Sequence, residues 1–337
     1  MKKTIKSIIL ILLIGIITLY LVFKDDFESK IVYLFSYSKI WLLAGVICIF
    51  LYYFLKSLVI YYCTKKFKKD YKLKEAFFLN LSVQFVNNIT PFSTGGQPYT
   101  LYKLNKQGLS APQSTNVVIQ DFIVYQIALI LLSTIAIISN TIFNIFPNDH
   151  LLKKLVLLGY LINFGVIIIL FIISFNKKGN KFILKIIYKI IIKFTKKKDL
   201  KEKFDTFIND FHISAKELMK SKTHFIKIIF INIIALIILY LIPFTLIMGL
   251  NFYLNPLLVI VCSSYVMLIG SFVPLPGGAG GLEFSFMAFY GTYISSDMLA
   301  SIMISWRIIT YYLGTFIGAL AISKEWKYEN WYIYRNI

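Results

Sequence analysis

Apolar stretches long enough to cross the roughly 30 Å hydrocarbon layer of a bilayer recur along this chain from one end to the other. They lie near residues 7–23, 40–62, 115–141, 154–175, 223–249 and 299–322. Two more, 75–108 and 254–295, are each interrupted by a Pro/Gly cluster and read as two half-helices joined by a break. The expected fold is an all-α polytopic membrane protein with about six full spans and two Pro/Gly-broken re-entrant hairpins. Were the hairpins to cross completely, the count would rise to eight. Composition agrees: 58% of the 337 residues are hydrophobic and 15% charged, far more apolar surface than a soluble core of this size needs.

Lysine placement orients the spans. The formal net charge is +20, but the lysines cluster between apolar spans, as the positive-inside bias requires of cytoplasmic loops. Segment 65–75 carries six lysines against Asp70 and Glu75, and 177–222 carries fourteen against five acidic residues, so both are expected in the cytoplasm. Loops 24–39, 142–153, 250–255 and 295–298 are short or balanced and are expected outside. Met1 to Lys6, followed by the apolar run Ser7 to Phe23, has the charge order of a signal peptide without a small-residue cleavage site, and is expected to remain as the first span. Both termini then face the cytoplasm of a multi-pass cell-membrane protein. The first hairpin enters and leaves from the cytoplasmic side, the second from the outer side.

Within 177–222, Ile183, Ile186, Ile187, Ile190, Ile191 and Phe194 follow helical spacing beside Lys181, Lys185, Lys189 and Lys193, the pattern of a basic amphipathic helix. Anionic inner-leaflet lipids are its expected partners over 177–203, at about 1 kcal/mol per lysine. A plain positive-inside loop that happens to be helical is the alternative. Nucleic acid is not expected, because the aromatics that would stack on bases are not interleaved with the lysines.

The two breaks repeat each other. The first runs from Asn87 and Asn88 through Pro91, Gly95, Gly96 and Gln97 to Pro98; the second runs from Pro274 through Pro276, Gly277, Gly278, Gly280 and Gly281 to Glu283. Both contain P-x-x-x-G-G. Each is followed by an aromatic-rich half-helix, Tyr99 to Leu104 (with Tyr102) and Phe284 to Tyr290, and then by a span with a charge inside it. Pro91 precedes Asp121 by 30 residues and Pro276 precedes Arg307 by 31. A shared motif in a shared order, with opposite sides of approach, is the pattern of an inverted repeat, here 40–141 and 223–322. Proline removes an amide donor and glycine admits non-helical backbone, so the breaks leave polar groups that lipid cannot satisfy. Half-helix N-termini suit phosphate or carboxylate, so the two breaks form a candidate head-group site. Tight ligand-free helix turns are the alternative.

Asp121, Glu283 and Arg307 would each cost on the order of 3 kcal/mol or more facing lipid, so each must face a partner or a cavity. Their positions suggest an Asp121–Arg307 pair across the pseudo-symmetry axis, with Glu283 nearby as a second acid. Lys56 is read as snorkelling from near a helix end and is left out of the site. Neither a metal nor a cofactor is expected: Cys48, Cys63, Cys262, His150, His212 and His224 lack ligand spacing, and the chain has no phosphate-binding G-x-x-x-x-G-K-[ST] loop.

These residues carry a family resemblance. Asn87 to Pro91, Gly95 to Pro98, Tyr99 to Leu101, Lys103 and Asp121, with the second motif Pro274 to Glu283, resemble the membrane part of the lysylphosphatidylglycerol synthase/flippase family, also called multiple peptide resistance factor. The resemblance covers most of the chain. It implies translocation of a phospholipid, such as aminoacylated or otherwise modified phosphatidylglycerol, between leaflets, and in full-length members resistance to cationic antimicrobial peptides. Those members carry a soluble domain that transfers lysine to phosphatidylglycerol, and the chain is expected to lack it, ending at Ile337 about fifteen residues past the last span. A membrane subunit or scaffold for a separate phosphatidylglycerol lysyltransferase, and a membrane-bound lipid-linked glycosyl or aminoacyl transferase, are the alternatives. Asp25-Asp26, the best candidate acidic pair for the last of these, reads instead as a solvated loop edge balanced by Lys24 and Lys30. Phospholipids are the expected partners; a separate lipid-modifying synthase and self-association stay open.

Overall fold

The computed structural model describes residues 32–146, 150–176 and 221–323, together with Thr206, Asp210 and Ile213. The expected span 7–23, the Asp25-Asp26 pair and the basic segment 177–203 lie outside the described residues. Every regular element among the described residues is helical, and the protein is a polytopic all-α membrane protein. Among the described residues, five helices are long and apolar enough to cross a membrane: Lys39–Lys65, Ala111–Phe143, His150–Ile172, Lys222–Gly249 and Ser296–Ser323. They coincide with five of the six expected spans.

Ten α-helices among the described residues build the bundle. They are α1 (Lys39–Lys65), α2 (Leu73–Asn88), α3 (Gly96–Lys106), α4 (Ala111–Phe143), α5 (His150–Phe175), α6 (Lys222–Tyr240), α7 (Ile242–Gly249), α8 (Pro256–Gly270), α9 (Gly281–Tyr290) and α10 (Ser296–Arg307). Local chemistry sets their limits. Ser110 and Gln113 form a reciprocal capping box at the start of α4, satisfying two donors that the first turn leaves open. Pro243 cannot donate an amide hydrogen, and it sits at the junction where the Lys222–Gly249 span breaks into α6 and α7. Beyond Arg307, α10 passes through a π-helical turn, Ile308–Tyr312, before reaching Ser323.

Contacts between helix ends define two ends of the bundle. At one, the lysine-rich end, the His224 ring in the first turn of α6 meets Tyr62 near the end of α1, with centroids 6.2 Å apart. At the opposite end the Ser38 amide, just before α1, donates to Gly249 O at 2.9 Å, and the Tyr293 hydroxyl donates to Ile145 O just past α4.

Each broken segment returns to the end it left. Lys68, ahead of α2, donates to Gln107 O, just past α3, at 2.8 Å, which closes the first hairpin at the lysine-rich end. Tyr290, the last residue of α9, donates to Val259 O in the first turn of α8 at 3.1 Å, which closes the second at the opposite end. The two hairpins therefore approach from opposite ends, and their tips, the 3₁₀ turns Pro91–Ser93 and Pro276–Gly278, pack against each other inside the bundle.

The outer surface is unlike that of a soluble domain. Ile135, Ile142, Leu161 and Phe230 are exposed on helix surfaces, whereas Asn80, Gln120, Gln126 and Asn232 are buried. A bundle in lipid loses nothing by facing apolar side chains outward, while polar groups must find partners within it.

Candidate functional site

The two tips share one backbone design. In each turn the residue after proline is left-handed, Phe92 at φ 54° and Gly277 at φ 60°. The next helix then opens on the second glycine of the motif, Gly96 or Gly281. The likeness continues at one constant offset to the serines at the N-cap positions, Ser110 before α4, whose side chain caps, and Ser295 before α10.

Two polar residues of the first break, Asn87 and Thr90, complete the break itself. The Gly96 amide donates to Asn87 Oδ1 at 2.8 Å and the Gly95 amide to Thr90 Oγ1 at 3.0 Å. Glycine is needed at 96 because a Cβ there would overlap the Asn87 side chain. Asn88 reaches across to the π-helical turn, donating to Tyr311 O at 3.2 Å and Thr315 Oγ1 at 2.8 Å, while the Tyr311 hydroxyl donates back to Asn88 O at 3.2 Å. A π-helical turn frees carbonyls from the regular ladder, and here Tyr311 O takes an outside donor.

A cavity of about 360 Å³ lies where the tips meet, lined by residues of α1, α2, α4, α8 and α10 as well as both turns. Of the expected site residues, Asn87, Asn88, Gly96, Gln97, Asp121, Gly277, Gly278 and Arg307 line it. Pro91, Gly95, Pro276, Gly280 and Gly281 are outside the lining and shape the turns behind it. Tyr102 is remote, half-exposed on α3 with Lys106 Nζ 5.0 Å from its ring centroid.

The intramembrane charges pair differently from the expected Asp121–Arg307 arrangement. Lys56 Nζ donates to Asp121 Oδ1 at 2.9 Å and to Asn232 Oδ1 at 3.0 Å, with the Tyr125 ring centroid 5.3 Å away. Arg307 Nε lies 2.7 Å from Glu283 Oε1, and its two terminal nitrogens both donate to Gly277 O at 3.2 Å. Glu283, expected as a second acid of the site near an Asp121–Arg307 pair, is instead the partner of Arg307 and stands behind the lining. Lys56, set aside as a snorkelling residue, is buried and lines the cavity. The position along α1 could have revealed it: nine residues of helix follow, about 13 Å at the α-helical rise, which is far to snorkel. Asn232 carried no signal in the sequence beyond being a lone polar residue in an apolar run.

Among the described residues, three buried lining atoms have no hydrogen-bond partner: Gln97 Oε1, Gln126 Oε1 and the Tyr240 hydroxyl. Gln126 is 4% exposed and Tyr240 1%. Lys56, Asp121 and Arg307 give the same cavity charge of both signs, and Tyr52, Phe286 and Trp306 add apolar wall. Such a space can hold a molecule that has a charged or polar end and an apolar body.

Comparison with known proteins extends this picture. Residues 7–318 match the family described as "Lysylphosphatidylglycerol synthase TM region". The chain is also similar to a UPF0104 membrane protein of Archaeoglobus fulgidus, 24% identical over 281 residues, covering 73% of this chain and 74% of that protein.

Proposed function

Because the chain belongs to the lysylphosphatidylglycerol synthase TM-region family, we propose that it is a flippase-like protein that moves a phospholipid, an aminoacylated or otherwise modified phosphatidylglycerol, between leaflets. The observation that carries this reading is the cavity at the meeting point of two hairpins from opposite ends, lined by charges of both signs. A phospholipid head group crossing a bilayer needs polar partners midway, where lipid offers none. Arg307 suits the phosphate, and the unpartnered Gln97, Gln126 and Tyr240 groups suit a polar head group. Residues 40–141 and 223–322 act as the two inverted halves, each carrying one hairpin, with the lysine-rich end in the cytoplasm of a cell membrane.

The test is reconstitution into vesicles containing a fluorescent phosphatidylglycerol, with chemical quenching of the outer leaflet. Protein vesicles should quench beyond the half expected of sealed empty vesicles. Quenching equal to empty vesicles, with the protein shown to be folded, would favour a scaffold for a separate lysyltransferase.

A further inference from the structure

We propose that the Lys56–Asp121 pair is a proton-binding site that couples events in the cavity to the proton gradient across the membrane. The inference rests on reading the cavity as a translocation site, and it begins from the difference between the two ion pairs.

The Arg307–Glu283 pair is built as a fixed strut. A guanidinium stays charged in proteins, and this one is held by Glu283 on α9 and by the Gly277 carbonyl of the tip. Its two side chains are 9% and 10% exposed. Lys56 and Asp121 are both groups that can change protonation, and the Asp121 side chain is 28% exposed where it lines the cavity. A proton can therefore reach it from cavity water. The step balances simply: one proton from that water adds to the carboxylate to give a neutral carboxylic acid, and its release to water regenerates the carboxylate.

The surroundings decide what moves when this happens. Asn232 donates through Nδ2 to Ile228 O at 3.2 Å, which holds its Oδ1 toward Lys56. The ammonium keeps that acceptor and the Tyr125 ring face when Asp121 is neutralised, so the carboxyl group is the part released. Lys56 lies on α1, Asp121 on α4 and Asn232 on α6, so the pair ties the helices around the first hairpin to one that leads to the second. Protonation loosens the α1–α4 tie and leaves the α1–α6 tie in place. The titratable groups that act on the pair are Tyr52 and Cys63 on α1 and Tyr125 on α4, with Tyr53, Tyr240 and Arg307 lining the same cavity and Lys66 within electrostatic range of Cys63.

Infrared difference spectra of the purified full chain, recorded as pH is stepped, read proton binding without requiring transport. The expected result is a carboxylic-acid C=O component that appears in the wild type on acidification and is missing from Asp121→Asn, seen as the difference between the two titrations in which the chain's other acidic residues cancel. The double variant Lys56→Gln with Asp121→Asn, which removes both charges, should lack the component while keeping the helical circular-dichroism spectrum, so that its loss is not loss of fold. Wild-type and Asp121→Asn spectra that titrate identically in the carboxylic-acid region overturn the assignment. In vesicles with fluorescent phosphatidylglycerol, an imposed proton gradient should change the wild-type translocation rate and leave that of Asp121→Asn unresponsive. Translocation that ignores the gradient in the wild type overturns the coupling. Absence of any translocation strikes the function proposed above, while the infrared titration still decides whether Asp121 binds a proton.

Discussion

Replacing Glu283 by glutamine tests the strut reading quantitatively. Glu283 is the only charged partner of Arg307 among the described contacts, at 2.7 Å with both side chains about nine-tenths buried. Removing one member of a buried ion pair costs about 3–5 kcal/mol, because the remaining charge is left uncompensated. Glutamine keeps an acceptor oxygen, which argues for the lower end. Its amide nitrogen, however, would take the place of Glu283 Oε2, which has no partner to receive those hydrogens. The expected loss is therefore about 3 kcal/mol. Asp121→Asn should cost less, about 1–2 kcal/mol, because Lys56 retains Asn232 and Asp121 is partly exposed. The double variant Glu283→Leu with Arg307→Met, which removes both charges and keeps apolar volume, should recover most of the Glu283→Gln loss. Equilibrium unfolding of the three variants in one detergent measures this. The reasoning is refuted if Glu283→Gln costs no more than Asp121→Asn, or if the double variant is as unstable as Glu283→Gln.

Three further outcomes follow from the tips and their approach. Gly277→Ala should destabilise by more than about 1–2 kcal/mol, since alanine at φ 60° bears that backbone cost and its Cβ would also overlap the Tyr311 ring; an unchanged unfolding midpoint would contradict the turn geometry. Phe92→Gly, at the equivalent left-handed position with an exposed ring, should leave thermal stability equal or raised, and a clear loss would mean that the ring has a packing role. With Cys48 replaced and the buried Cys63 and Cys262 inert, an impermeant maleimide applied from one face should label Lys69→Cys or Tyr253→Cys but not both; labelling of both from one face would refute the opposite approach of the hairpins.

The spans and the breaks were legible because membrane folding writes its constraints into local sequence. Length and hydropathy select the helices, and proline with paired glycine marks where a helix must stop. Pairing was not legible. Asp121 and Arg307 occupy matching places after their breaks, so symmetry suggested that they meet, but matching positions in two inverted halves need not be neighbours. The partner of Arg307 came instead from the hairpin of its own half, at the end of the motif that runs from Pro274 to Glu283. Lys56 was missed for a different reason: its depth depends on how far α1 continues, and Tyr61 to Lys65 prolong the helix through aromatic and polar residues that end a hydropathy window early. Asn87 and Thr90 show a third limit. Their amide and hydroxyl chemistry fits a ligand or a turn equally well, and only the bonds to Gly96 and Gly95 assign them to the turn.

Photo-crosslinking of a phosphatidylglycerol analogue to the purified protein, with the activatable group on the head group, tests the central claim most directly. If the cavity between the hairpin tips receives a lipid head group, adducts will map to its lining, at residues such as Phe122, Tyr125, Phe286 and Trp306, and will be competed by unlabelled phosphatidylglycerol. Adducts confined to outward-facing positions such as Ile142, Leu161 and Phe230 would contradict it.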